Sequence, residues 1–426
     1  MRYDYAALVQ DGRVHGSLYV DPGVFHEEME RIFRRGWVFV GHESELPAPG
    51  DWVTRRVGLQ PYLLTRDLDG GLHLLANRCA HRGTALCREE RGNARHFQCI
   101  FHGWTFGLDG TLLGVTYPGG LERSKEALAL DRAGQIDTYR GFIFANPAGG
   151  AGPLAEHLGP GGRYLIDRMC NLAPSGRIRL GPNWIGQRVD SNWKLWPESD
   201  NDGYHLNFLH VSLFRANRES QYNETMLAGE TGHSSKAVDH GRGHFELDLK
   251  DSYPHELAWC NATPERLPDY RRAMVAAHGE ARAHQLLLDG PPHGMIFPNL
   301  FLGEINVAMV EPIAPGVCAQ YHTAMQLEGA GEAVNRRLLR LSEAAMGPAS
   351  FLLADDAAAA ERQQYGFGAS RADLSDGGAA HTWVDLSRGQ RREQVAADGV
   401  RVSLLSDETT NRGFWRHYRS VMEAGA

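Results

Sequence analysis

The sequence contains no uninterrupted apolar run near the ~20 residues that a membrane-spanning helix needs. Its first stretch, MRYDYAALVQDGRVHG, has neither an apolar segment nor a small-residue cleavage site of the secretory kind. Positive charge is in the minority: 44 Lys and Arg face 52 Asp and Glu, for a net charge of -8. A surface of that sign matches nucleic acid or an anionic bilayer poorly, so neither is expected as a partner. No Gly-x-Gly-x-x-Gly opens a helix after a strand, no Walker-type loop occurs, and GPGGR at 159–163 reads as a turn. The chain therefore offers no Rossmann site for NAD(P)H. Long polar tracts and internal repeats are also missing. These absences together point to a cytoplasmic globular protein.

Cysteine is scarce. Of six in 426 residues, Cys170, Cys260 and Cys318 stand alone and read as small buried hydrophobes. A chain this long, 42% hydrophobic, can build its cores without a disulfide framework. Clustered Cys and His are then better read as metal ligands.

The length favours two domains. VFHEEMERIFRRGWVFV places Val24, Phe25, Met29, Ile32 and Phe33 at helical spacing and predicts an amphipathic helix. From Asp51 the texture turns to short β-rich runs: WVTRRV, PYLLTR, LHLLAN, RHFQC, an Asp-Gly hairpin in WTFGLDGTLLG, and YRGFIFANP. The stretch NPAGGAGPLAEHLGPGGR reads as a linker. Beyond it the pattern is mixed. GHFELDL, GMIFPNLFLGEINVAMVEPI and AQYHTAMQLEG read as strands, EAVNRRLLRLSEAAM and ASFLLADDAAAAERQQ as helices. The expected organisation is an N-terminal helical segment (1–37), a small all-β domain (38–155) and a larger α+β domain (156–426).

CAHRGTALCREERGNARHFQCIFHGW, from Cys79 to Trp104, holds Cys79 and His81 in one half, Cys99 and His102 in the other, with 17 residues between the halves. Four such donors suit tetrahedral zinc. They also suit a [2Fe–2S] cluster with both thiolates on one iron and both imidazoles on the other. Zinc sites usually group Cys with Cys and His with His; here each loop supplies one of each, as two loops clamping a cluster would. Glycine within two residues after each His, in HRG and HGW, lets backbone N–H groups approach the sulfurs. Cys87 reads as an ordinary thiol. The pattern points to a Rieske cluster.

With these motifs the chain resembles the large (α) subunits of Rieske non-haem iron ring-hydroxylating oxygenases. The loops CAHRGT and CIFHGW lack the extra cysteines of respiratory Rieske proteins. The resemblance implies a small all-β Rieske domain and a helix-grip (START-like) catalytic domain of antiparallel sheet and helices.

A cluster only passes electrons, so the larger domain should hold the chemistry. NWKLWPESDNDGYHLNFLH supplies Asp202, His205 and His210. Asp202 and His205, three apart, are expected on one side of a helix. His205 and His210 would lie roughly 140° apart on a regular helix of ~3.6 residues per turn, so an irregular turn is expected between them. Two His and a carboxylate with open positions form the facial triad of non-haem Fe(II) oxygenases. FLLADDAAAAERQQ offers Asp355 and Asp356, and the resemblance selects Asp356. It also makes Asp202 a bridge between His205 and the cluster ligand His102 of the partner subunit, within a homotrimer with or without a small β subunit. It places Ser199 (where many relatives carry Asn), Leu206, Met346 and Leu352 at the substrate pocket.

The function implied is a terminal oxygenase. A separate reductase or ferredoxin would draw electrons from NAD(P)H, and O2 would hydroxylate an aromatic substrate, with dioxygenation and a single-ring aromatic acid favoured. The alternatives are a monooxygenase or demethylase on the same scaffold, a pure electron carrier, or a zinc-stabilised binding module.

Overall fold

The computed structural model describes residues 3–181, 183–216, 235–347, 350, 352–370 and 383–424. The chain divides into two compact units, residues 29–154 and residues 1–28 with 155–426.

Unit 29–154 is built of three small antiparallel sheets. One runs in the order Leu72–Ala76, Gln60–Arg66, Asp51–Val57, Arg91–Asn93; a second in the order Leu112–Gly114, Thr105–Phe106, Phe97–Gln98. The third joins Gln135–Tyr139, Phe142–Asn146 and Val38–His42. The DLDGG turn works as its sequence suggests: Asp67 Oδ1 accepts the backbone N–H of Asp69 (3.0 Å) and of Gly71 (2.7 Å), and Gly70 takes the left-handed φ of 91°. Trp52, Leu63, Leu75, Phe97, Phe106 and Leu112 form the core, and Cys79 and Cys99 sit at its margin.

The long helix expected from Val24 is shorter than its periodicity suggested. It spans Pro22–Glu28, passes into a single π turn over Met29–Arg34, and gives way to the strand Val38–His42. All five strand residues are buried, so they lack the alternation that marks a half-exposed strand. Gly36 closes the turn, its N–H bonded to the Ile32 carbonyl at 3.0 Å, and a Cβ there would lie 2.4 Å from that oxygen. The expected linker is also corrected. Its second half is helix, Leu154–Cys170, broken at Gly159 (φ 55°), with Leu154, Leu158, Leu165, Ile166 and Met169 buried. Its glycines serve close packing: a Cβ on Gly161 would stand 2.3 Å from His240 Cβ.

The other unit is organised on a large antiparallel sheet. From one edge the order is Ile178–Leu180, Val317–Leu327, Asn306–Ala314, Leu300–Leu302, Gly294–Ile296, Phe245–Asp248, Lys236–Asp239, Arg401–Leu404, Gln394–Val395, and Ile185–Val189 also pairs with Val317–Leu327. The helix Glu332–Met346 packs on Val317–Leu327, and Thr409–Ala424 on Lys236–Asp239 and Phe245–Asp248. Leu353–Ser370 packs on the short helix Leu195–Asp200. Two helices, Pro268–His278 and Glu280–Asp289, were not foreseen; Tyr270 and Met274 are the buried residues of the first, too few for a clear apolar stripe. Among the described residues no helix is long and apolar enough to cross a membrane.

The N-terminal residues are held to this unit by a buried ion pair. Lys194 Nζ lies 2.6 Å from Glu28 Oε1, both side chains wholly buried. Glu28 also accepts from Trp193 Nε1 (2.9 Å) and Tyr418 Oη (2.6 Å). Burial pulls the Lys194 amine below its usual pKa, and Glu28 opposes that pull. Removing one partner strands the other charge without solvent. Glu28→Ala should destabilise by about 3–5 kcal/mol, whereas Glu28→Leu combined with Lys194→Met should cost less than either single change. Urea midpoints of Glu28→Ala, Glu28→Leu, Lys194→Met and the double variant check this; an undamaged Glu28→Ala would refute it.

Candidate metal centres

The two Cys/His loops prove to be near copies. Cys79 N–H bonds the Thr84 carbonyl and Cys99 N–H the Trp104 carbonyl, both at 2.8 Å. Gly83 N–H returns to Cys79 O and Gly103 N–H to Cys99 O, both at 2.9 Å. Gly83 (φ 76°) and Gly103 (φ 69°) reverse the chain where a side chain would strain it. Each loop thus presents one buried sulfur and one outward imidazole. The His81 and His102 ring centroids are 4.6 Å apart, and Trp104 stacks on His81 at 4.7 Å and 6°. Burial raises the Cys79 thiol above its ordinary pKa, as does neighbouring Cys99, while the N–H groups of His81 and Arg82 pull it down. Those amides are the sulfur-directed donors that the adjacent glycine suggested. The donor set fits a cluster taking two thiolates and two imidazoles. Cys87 stays outside: Asn77 ties its backbone down (Nδ2 to Cys87 O 2.7 Å, Cys87 N–H to Oδ1 3.1 Å), and burial lifts its thiol to about 11.

The second cluster of donors lies in the unit with the large sheet. His205 is the N-cap and His210 the C-cap of a single-turn helix, Leu206–Leu209. The expected irregular turn is therefore present, and it brings the two Nε2 atoms to 3.1 Å. Asp356, in the first turn of Leu353–Ser370, sets Oδ1 3.3 Å from His210 Nε2 and 3.6 Å from His205 Nε2. All three donor atoms lie within 4.8 Å of one another. Imidazole–metal bonds of ~2.1 Å meeting at a right angle place two nitrogens about 3.0 Å apart, close to the spacing seen here. Neighbouring Asp355 faces the other side of the ring, 3.6 Å from His210 Nδ1, a buried nitrogen with no hydrogen-bond partner among the described residues. The set fits one ion with open positions.

Asp202 does not share a helix with His205. It lies in the bend between Leu195–Asp200 and Leu206–Leu209, where Gly203 approaches Leu405 so closely that a Cβ would stand 2.5 Å from its carbonyl oxygen. The two still meet: Asp202 Oδ2 is 3.2 Å from His205 Nδ1, and Oδ1 accepts the Tyr204 N–H at 2.6 Å. With Nδ1 donating to this carboxylate, His205 Nε2 is left free for a metal. Burial alone would lower the His205 pKa, but the hydrogen bond and charge of Asp202, aided by Asp356, hold it above the ordinary value.

A cavity opens beside this cluster. Ser199, Leu206, Met346 and Leu352, the four positions expected at the pocket, all line it, with Leu247, Phe301 and Ile305 adding apolar wall. Ser199 Oγ donates to Asp356 Oδ1 at 3.2 Å. Its helix is anchored by Glu198, whose buried carboxylate accepts from Tyr19 Oη (2.7 Å) and Trp415 Nε1 (2.5 Å) and is pushed up to about 7 by burial. The sequence reading missed a polar side to this cavity: Asp200, His293 and Glu304 line it too. A carboxylate inside the apolar run LFLGEINV was the available signal, since a charge buried there needs a partner.

Comparison with known proteins adds the following. Residues 36–125 match the Rieske [2Fe-2S] domain, and residues 162–424 the ring hydroxylating alpha subunit (catalytic domain). The chain is 31% identical over 373 residues to the N,N-dimethyl phenylurea N-demethylase subunit alpha of Sphingobium sp. (strain YBL2), covering 82% of this chain and 79% of that one. It is 28% identical over 430 residues to the anthranilate 1,2-dioxygenase large subunit of Acinetobacter baylyi (95% and 87% covered). The solved structure of naphthalene 1,2-dioxygenase with indole in its active site superposes with a TM-score of 0.83 at 24% identity, over 99% of this chain and 95% of that one.

Proposed function

The chain belongs to the ring-hydroxylating oxygenase alpha subunits, and from that premise we propose how its residues divide the work. It is an oxidoreductase, the large oxygenase component of a multicomponent system fed by a reductase or ferredoxin, with a [2Fe–2S] cluster and mononuclear non-haem iron as cofactors. The observation that carries the assignment is the meeting of His205, His210 and Asp356 at a cavity, in a chain that also carries the paired Cys/His loops.

Cys79, Cys99, His81 and His102 would hold the cluster, and His205, His210 and Asp356 the iron. When bound, the cluster supplies single electrons and the iron the redox chemistry that lets O2 react with an aromatic ring. The protein's own groups prepare this. Asp202 fixes the His205 tautomer, Ser199 hydrogen-bonds the Asp356 carboxylate, and the apolar wall of Leu206, Met346 and Leu352 orients a ring and excludes water. We assign Asp202 the further role of bridge to His102 of the partner subunit, in a homotrimer with or without a small β subunit. The outward face of the cluster loops suits such a contact: Ile100, Phe101 and Tyr117 are exposed there. The domain division we propose is 1–37 as an N-terminal segment, of which 1–28 belongs to the same compact unit as the catalytic domain, 38–155 as the Rieske domain and 156–426 as the catalytic domain.

Dioxygenation of an aromatic substrate is the main reading. A demethylase reading is kept because a relative so named is 31% identical. A panel of aromatics supplied with a surrogate reductase and 18O2 separates them. Two labelled oxygens in the aromatic product mark dioxygenation; an unlabelled aromatic product, with one labelled oxygen in the released aldehyde and the other in water, marks dealkylation. No product from any aromatic would overturn both.

A further inference from the structure

Four carboxylates line the cavity: Asp200, Asp202, Glu304 and Asp356. Three are engaged. Asp356 faces His205 and His210, and Asp202 faces His205. Glu304 faces His293 Nδ1 at 3.3 Å and Tyr253 Oη at 3.5 Å. Asp200 differs. It is 91% buried, and its Oδ2 has no hydrogen-bond partner among the described residues. Its backbone, by contrast, is fixed: the carbonyl lies 3.1 Å from His293 Nε2, and Glu198 anchors the same helix. Asp200 thus lines the cavity on a fixed backbone with a buried acceptor left over. A buried acceptor in that position is satisfied by whatever fills the cavity.

The remaining lining sharpens the choice. Among the described residues no lysine or arginine reaches the cavity. Burial and the neighbouring Asp356 push the Asp200 carboxyl well above its ordinary pKa, so the charges of the lining are those of Asp202, Glu304 and Asp356, of which an Fe(II) ion would offset two, leaving more negative than positive charge. A substrate carboxylate would enter that field with no cation to receive it, whereas a donor N–H would complete Asp200.

We propose that Asp200 is a specificity-determining residue, selecting aromatic substrates that carry an N–H donor of the aniline or anilide kind over aromatic carboxylates. This rests on the aromatic-oxygenase reading and narrows its substrate class. Asp200 accepts the donor while the apolar wall holds the ring beside the histidine pair.

The test uses the full-length, iron-loaded protein without O2 and three probes of nearly one shape. Acetanilide has N–H where phenylacetone has CH2, and phenylacetate replaces the acetyl group of phenylacetone with a carboxylate. Calorimetric titration of the parent protein should rank acetanilide at least about tenfold tighter than phenylacetone, as one hydrogen bond to an otherwise unsatisfied buried acceptor allows, with phenylacetate weakest. Asp200→Leu should erase the acetanilide advantage, and Asp200→Asn, which keeps an acceptor oxygen, should retain part of it. Equal binding of acetanilide and phenylacetone by the parent protein, or an advantage that survives Asp200→Leu, overturns the proposal. If aromatics are oxidised in the 18O2 panel without that advantage, this inference alone falls. If nothing aromatic binds or is oxidised, the oxygenase reading falls with it.

Discussion

His210→Ala should end turnover with every aromatic while the protein keeps its cluster colour. His210 is buried, and its Nε2 sits 3.1 Å from His205 Nε2 and 3.3 Å from Asp356 Oδ1, so its loss leaves two donors where three converged. The two donors that remain, His205 at the start of the single-turn helix and Asp356 on Leu353–Ser370, do not hold a divalent ion against water. Iron should fall from about three per chain to about two, the two belonging to the cluster. The loss of turnover should exceed the 10–100-fold, in order of magnitude, that follows removal of an outer partner of a metal ligand. The cluster loops lie in the other compact unit, so the visible spectrum should be unchanged. Bleaching of that spectrum, or persistent oxygenation, would count against two separate sites.

The second large effect is expected at Asp202, with the opposite signature. Asp202→Asn keeps the size of the side chain and an oxygen that can accept from the Tyr204 N–H, 2.6 Å away in the parent protein. It removes the charge that faces His205 Nδ1 at 3.2 Å. Iron content should stay near three per chain and substrate binding should be close to normal. Turnover should nevertheless drop by about 10–100-fold or more, because the proposed path between subunits loses its carboxylate. Reduction of the cluster by dithionite should proceed as before, with reoxidation by O2 and substrate slowed. Full turnover would remove Asp202 from the bridging role, and loss of iron would reduce it to a support for His205. Measured together, the two variants separate holding the iron from supplying it with electrons.

Much of the cluster site was legible because it is local. Each loop carries its Cys and His donors and its positive-φ glycine, Gly83 or Gly103, within five residues, so spacing alone carries the geometry. The histidine pair was legible for the same reason, down to the irregular turn. The helix placement of Asp202 and His205 was misread, since a three-residue spacing is satisfied equally by a bend closed through Gly203. The linker reading fails because the glycines of GPGGR, read as a turn, lie within the helix Leu154–Cys170, where Gly161 allows a close approach to His240.

What the sequence determined by itself is chemical identity: two Cys/His loops, a histidine pair, an acidic pair on a later helix, and no dinucleotide site. Only the tertiary structure decided which carboxylate stands where. Asp355 and Asp356 are adjacent in sequence but meet opposite sides of His210, because successive residues on a helix point about 100° apart. Asp200 stands on a helix 93 residues before the loop residue His293 and further before the bend of Glu304, and no local pattern announces that they share a wall. Ligand spacing within a loop is set by the backbone over a few residues. The composition of a cavity is set by how the sheet and its helices pack, which couples positions no short window of sequence contains.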